Sequence, residues 1–208
     1  MKTSRYLNRT YNRLCDYKFG ITTCGSDVHD KDAKDYHDIL AKGDHAYVTT
    51  SYRDIFKILK YISLDEKDVF IDIGCGKGRV VCCASLLNIA EAIGIDIDEN
   101  YCDIANNNSQ RIHNQASIHI INTCAESFDY KNCTCFWLYN PFGADVLKKV
   151  LSRIYHSLEA NPRPIKIIYL VPWYDSVLES TKWLKMYDRW EPDDHHKLSY
   201  DVSFWNNN

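Results

Sequence analysis

The chain has 208 residues, a formal net charge of −3 and a sequence pI near 6.2. That length suits one domain with a substantial core, and the charge balance argues against a surface given over to phosphate contacts. No run approaches the roughly 18 apolar residues of a membrane span, and the start Met1-Lys2-Thr3-Ser4-Arg5 lacks the apolar stretch of a secretory signal.

The first twenty residues are basic, with Lys2, Arg5, Arg9, Arg13 and Lys18 opposed only by Asp16. Tyr6, Leu7, Tyr11, Leu14 and Cys15 fall at near-helical spacing and predict a short amphipathic helix. An acidic polar stretch follows from Asp27 to Asp44, and its His29, His37 and His45 read as surface residues. Residues 1–46 therefore read as an arm appended to a domain over 47–208. From Tyr47 the pattern becomes regular. Thr49, Thr50 or Ser51 can cap a helix over 53–62. Val69–Ile73 is a β-branched strand, 79–88 a helix, 92–96 a second strand and 99–113 a second core helix with acids in its first turn. Strands at 117–121 and 135–139 come next, then a long amphipathic helix marked by Val146, Leu147, Val150, Leu151, Ile154 and Leu158. Residues 165–171 form a wholly buried type of strand. Two strands, 183–190 and 197–205, close the chain around the turn-rich Glu191-Pro192-Asp193-Asp194. Strands alternating with helices predict an α/β, doubly wound, mostly parallel sheet, here finished by an antiparallel hairpin.

The densest signal is Val69-Phe70-Ile71-Asp72-Ile73-Gly74-Cys75-Gly76-Lys77-Gly78-Arg79. A buried strand carries an acid near its end and turns through glycines at alternate positions into a helix. A dinucleotide fingerprint needs its third glycine three positions after the second; Arg79 stands there, and Gly78 comes one residue early. A second acid, Asp96, ends the next strand eighteen residues after Gly78, close to where a carboxylate meets a ribose in a βαβ unit. Asp98 is better placed to cap the following helix. The pattern resembles motif I of the class I S-adenosylmethionine (SAM)-dependent methyltransferases over roughly residues 47–205. The resemblance implies their seven-stranded Rossmann-like sheet and SAM as cofactor. It places Asp72 near the methionine end, the backbone of Gly74, Cys75, Gly76 and Gly78 beside the ligand, and Asp96 on the ribose with Ile97 next to it. The third motif falls on Cys124, Ala125 and Glu126 near the adenine, without the family's usual Gly-Asp pair. A shorter similarity, at Tyr47-Val48-Thr49-Thr50-Ser51, is to the arm that encloses SAM in lysine methyltransferases of the Dot1 type.

Methyl transfer from a sulfonium needs alignment more than acid–base machinery. The candidates for the substrate pocket are Asn140 and Phe142, in Asn140-Pro141-Phe142-Gly143 after the fourth strand. Amino-methylating members of the family carry Asn/Asp-Pro-Pro-Phe/Tyr there; this chain lacks one proline. An Asn-Pro turn that merely ends a strand is an equally good reading. Asn140 is counted with the cofactor contacts as well. Pro172-Trp173-Tyr174 lies at the same sheet edge.

No metal site is expected: His195-His196 beside Asp193-Asp194 reads as a solvated turn. The nine cysteines include no C-x-x-C pair and read as reduced, mostly buried thiols of a cytoplasmic protein. Two other functions share the sheet. A nucleotide-cofactor oxidoreductase is disfavoured by the glycine spacing, and a non-catalytic SAM-fold subunit by the intact glycines and acids. The methyl acceptor is left unidentified. The acidic balance favours a small molecule, glycan or protein side chain over duplex nucleic acid, while the basic arm suits an acidic partner, a membrane surface or RNA. Oligomeric state leaves no mark on the sequence.

Overall fold

A computed structural model describes residues 2–25, 48–192, 195, 196 and 198–208, with side chains from residue 8 onward. The acidic stretch with His29, His37 and His45, as well as Tyr47, Asp193, Asp194 and Lys197, lies outside the described residues. The elements in chain order are α1 (Lys2–Phe19), α2 (Tyr52–Ile62), β1 (Val69–Ile73), α3 (Arg79–Ala84), β2 (Glu91–Asp96), α4 (Glu99–Ser109), β3 (Ser117–Asn122), β4 (Cys135–Tyr139), α5 (Ala144–Ala160), β5 (Lys166–Leu170), α6 (Asp175–Ser180), β6 (Lys185–Trp190) and β7 (Val202–Asn206).

The strands form one seven-stranded sheet in the order β3-β2-β1-β4-β5-β7-β6. β1 to β5 run parallel, and β7 pairs antiparallel with β5 and β6. The doubly wound expectation holds, including its closing hairpin. Strand order reverses between β1 and β4, so the carboxyl ends of those two strands open a crevice.

Alternation along the central strands builds the two halves of the core. Phe70 of β1 and Cys135 and Trp137 of β4 face one layer, with Ile55, Ile58 and Leu59 of α2 and Val80 and Val81 of α3. Val69, Ile71 and Ile73 face the other, with Leu147, Val150, Leu151 and Ile154 of α5. Each such side chain contributes on the order of 1.5–3 kcal/mol when fully buried. Asp72 occupies a core-facing position of β1 and is buried with it.

Several boundaries differ from the sequence expectation, each for a local reason. The helix after the glycine turn stops at Ala84 instead of residue 88. The Ser85 hydroxyl donates back to the Cys82 carbonyl, and the Ser85 carbonyl accepts the Gln115 and Ala116 amides at 2.8 and 3.0 Å. That carbonyl holds the approach to β3 and is lost to the helix. The next helix ends at Ser109 instead of 113, where the Arg111 amide bonds only three residues back and Ile112 turns into the core. Trp183 packs on Tyr155 with ring centroids 5.5 Å apart, so β6 begins later, at Lys185. Tyr200 donates to Asp54 of α2, so β7 begins only at Val202. Helix α6 carries no periodic signal long enough to have been predicted.

The N-terminal helix exists and is longer than its spacing implied. Its inner side and the segment after it reach the fold: Cys15 and Phe19 pack on the core, Asp16 is buried, and so are Ile21 and Thr23 beyond the helix.

Candidate active site

The glycine turn sits at the carboxyl end of β1, where its backbone is forced into left-handed geometry. Gly74 has φ +82° and Gly78 φ +78°, a region that side chains strongly disfavour. Space is closed as well: a Cβ on Gly74 would lie 2.9 Å from the Pro141 Cβ, and one on Gly78 2.9 Å from the Ala105 Cβ. The first contact draws the β1 turn against the turn after β4. The second seats the start of α3 on α4.

Asp96 ties this turn to β2. One carboxylate oxygen accepts the Gly76 amide at 2.8 Å and the other the Asp98 amide at 3.0 Å. Asp98 caps α4 as expected, accepting the Asn100 and Tyr101 amides. A carboxylate offers about four lone-pair sites, so Asp96 retains acceptor capacity toward a diol. Ile97 beside it is exposed, an apolar surface at the rim of the crevice.

Asp72 is placed quite differently from Asp96. It is buried, and among the described residues no hydrogen bond or cation offsets its charge. Burial first, and then the nearby Asp96, hold its carboxyl well above the usual range. A cationic ligand group would remove that penalty. Trp137, its register partner on β4, also buries an indole N–H without a partner among the described residues. Cys75 is buried, and burial followed by Asp72 pushes its thiol well up, which makes it unreactive as a nucleophile.

At the end of β3, Cys124, Ala125 and Glu126 are partly buried in a turn. The Ala125 carbonyl accepts the Tyr130 hydroxyl at 2.7 Å, and Glu126 pairs with Lys149 of α5 at 2.7 Å. Asn122 was not singled out from the sequence. Its amide donates to the carbonyls of Asp96 and Ile97 at 3.1 and 3.0 Å, fixing the β2 exit.

At the end of β4, Asn140 is buried at φ +40° and accepts the Tyr169 hydroxyl at 3.0 Å on Oδ1. That bond fixes its amide plane. Tyr169 was hidden in the uniformly apolar β5 run. Phe142 is half-buried against the α5 layer. At the neighbouring edge Val171 takes φ +50°, an outlier for a β-branched residue, as the chain leaves β5 into Pro172-Trp173-Tyr174. Trp173 is exposed. The sequence-based site residues therefore converge on one sheet edge.

A second polar cluster lies beneath the turn. Arg79 is 2% exposed. Its guanidinium donates to Thr23 Oγ1 at 2.7 Å, the Thr50 carbonyl at 3.0 Å and Cys24 Sγ at 3.2 Å, and it lies 3.8 Å from Asp16. It also stands 4.6 Å over the Tyr52 ring. Asp16 accepts Thr23 N, Thr23 Oγ1, Cys24 N and the Tyr52 hydroxyl. Burial pushes the Asp16 carboxyl up, but these donors and Arg79 outweigh it and leave it below the usual range. Asn108 accepts the Thr22 amide at 2.8 Å and donates to the Thr22 and Lys77 carbonyls at 3.1 and 2.9 Å. Thus Arg79 and Asn108 key the segment after α1 to the glycine turn. The dinucleotide fingerprint has glycine at Arg79's place, and that substitution was the one visible clue.

Among the described residues no cluster of His, Cys, Asp and Glu could hold a metal ion. His196 is not simply solvated: its ring stacks on Trp190 at 3.7 Å. All nine cysteines are free, and burial pushes the thiols of Cys82 and Cys133 up to about 12 and that of Cys24 up to about 11.

Comparison with known proteins places this arrangement. The family described as histone methylation protein DOT1 matches residues 28–134, just over half of the chain. An rRNA adenine N-6-methyltransferase of Lysinibacillus sphaericus is 26% identical over 134 residues, which is 64% of this chain and 50% of that protein. This chain thus spans about half the length of that curated relative. Among solved structures, an RNA methyltransferase of Salinibacter ruber in complex with S-adenosyl-L-homocysteine superposes with a TM-score of 0.54 at 18% identity, covering 77% of this chain and 94% of that one. A TehB-like SAM-dependent methyltransferase of Corynebacterium glutamicum gives 0.55 at 16% identity, covering 85% and 96%. The fold is that of the class I SAM-dependent methyltransferases.

Proposed function

The chain belongs to the histone methylation protein DOT1 family, and on that premise we propose that it is a SAM-dependent methyltransferase acting on an amino nitrogen. The observation that carries this reading is the uncompensated Asp72 carboxylate, buried beside a glycine turn whose other wall is Asp96. A ligand with an ammonium at one end and a ribose diol further along satisfies both acids at once. A nicotinamide dinucleotide offers no cation of that kind to Asp72.

SAM, when bound, supplies the methyl group already activated on a sulfonium. The chain's own residues do the placing. Asp72 answers the ammonium, directly or through water, and Asp96 accepts the ribose hydroxyls. Gly74, Cys75, Gly76 and Gly78 let the backbone approach, and Ile97 offers an apolar face to the adenine. Cys124 and Ala125 border the same ring. Glu126, whose Oε1 pairs with Lys149, has its other oxygen to offer the ring's amino group. Asn140, its amide held by Tyr169, and Phe142 border the acceptor, where they orient a planar or primary amine for in-line attack. An amine that arrives neutral needs no general base. The domain over 47–208 carries this machinery, and the arm before it serves partner contact.

Incubation with radiolabelled SAM and separate RNA, protein and metabolite fractions of a cell extract tests the activity. Label transferred to one fraction, and lost in Asp96→Ala, supports it. Tight SAM binding with transfer to no fraction would favour a non-catalytic binding subunit.

A further inference from the structure

Helix α1 has two unlike sides. Asn12, Cys15, Asp16 and Phe19 face the fold: the Asn12 side chain accepts the Tyr52 amide at 3.1 Å, and Asp16 meets Arg79. Arg13, Leu14, Tyr17 and Lys18 are exposed, Leu14 at 61% and Tyr17 at 88%. The helix contains a single acid, Asp16, and it is turned inward. Every charge on the exposed side from residue 8 onward is therefore positive, in a chain whose net charge is −3. The outer side of this helix is a basic face.

Its position is fixed as well as its charge. Asn12 is bonded to the first turn of α2, and Thr22 and Thr23 are bonded through Asn108 and Arg79 to the glycine turn. The start of α2, the glycine turn and the start of α3 all lie at the strand-carboxyl edge, so α1 is anchored next to the elements that frame the crevice.

We propose that the outer face of α1 docks an RNA acceptor, with phosphates on Arg13 and Lys18 and an unpaired base stacked on Tyr17. This rests on the methyltransferase reading above. An aromatic ring this exposed between cations matches single-stranded nucleic acid, in which stacking and backbone charge act together. A membrane surface fits less well. An interfacial helix buries a broad apolar side in lipid, whereas α1 has committed Cys15 and Phe19 to the core and, among the described residues, leaves only Leu14, Tyr11 and Tyr17 for such a surface. An acidic protein would use the cations but leave Tyr17 without a role.

The test is anisotropy of a labelled hairpin RNA with an unpaired loop, run beside calorimetry with S-adenosylhomocysteine. Tyr17→Ala lowers RNA affinity about tenfold, and Arg13→Gln with Lys18→Gln reduces the slope of log affinity against log salt by about 1.4. Exposed Lys60→Gln with Lys67→Gln at the far edge changes neither. S-adenosylhomocysteine binding is unchanged in all three variants. RNA binding that ignores Tyr17, Arg13 and Lys18 overturns the proposal, as does loss in these variants of binding to phosphatidylserine vesicles or a poly-glutamate peptide but not to RNA. RNA binding without S-adenosylhomocysteine binding overturns the cofactor reading alone; the converse overturns the RNA surface alone.

Discussion

Asp72 and Asp96 are neighbouring acids with opposite situations. Asp96 accepts two backbone amides, whereas Asp72 is buried among apolar strands without a donor among the described residues. Because the folded Asp72 carboxyl lies well above its ordinary value, it costs stability as pH climbs past about 3.9. The cost is complete once pH passes the folded value, so lowering the pH relieves it. Asp72→Asn should therefore raise the melting temperature of the ligand-free protein at neutral pH while weakening SAM binding. The wild type should bind SAM more tightly as pH rises through the Asp72 titration, and Asp72→Asn should lose that dependence; scanning calorimetry and titrations across pH read both effects. Asp96→Ala removes the proposed ribose acceptor together with the tie to Gly76. It should weaken S-adenosylhomocysteine binding by about 3 kcal/mol, or roughly a hundredfold, measured by isothermal titration, with the sheet retained by circular dichroism.

At the scale of elements, the glycine turn is held from two directions. From above, its geometry admits no Cβ at Gly78, which has both φ +78° and Ala105 at 2.9 Å. Gly78→Ala should cost about 2 kcal/mol and lower the melting temperature by roughly 4–8 °C. From below, α1 and its following segment brace the turn through Arg79 and Asn108. The depressed Asp16 carboxyl contributes stability that is present above about pH 3.9 and is lost as pH falls through its folded value. Asp16→Ala leaves Arg79 buried without its counter-charge and should cost about 3 kcal/mol. It should also speed amide exchange at Thr22–Cys24, and bound S-adenosylhomocysteine should slow exchange there in the wild type, because coupling is reciprocal. This brace was not legible in the sequence. Asp16, Asn108 and Arg79 are far apart along the chain; Asp16 and Asn108 each read as ordinary surface residues, and Arg79 stands out only for replacing a fingerprint glycine. The turn was legible because its demands fall on consecutive positions.

For the whole molecule, alternating strand and helix patterns determined the architecture well, since burial on both faces leaves unbroken apolar runs such as Ile167-Ile168-Tyr169-Leu170. The same uniformity hid Tyr169, whose hydroxyl holds Asn140. Helix ends were misplaced where distant backbone intervenes, as at Ser85 with Gln115 and Ala116. The glycine turn and its two acids were legible as one group because their spacing falls on consecutive strand ends, whereas Asn140-Pro141-Phe142 stayed open between a pocket and a turn because it serves a turn equally well. The central claim is that this strand-end crevice is a SAM site. Calorimetry of the intact chain with S-adenosylhomocysteine and, separately, NADH tests it most directly. One-to-one binding of S-adenosylhomocysteine, weakened by Asp96→Ala, and no binding of NADH are expected; tight NADH binding without S-adenosylhomocysteine binding would contradict a SAM site here.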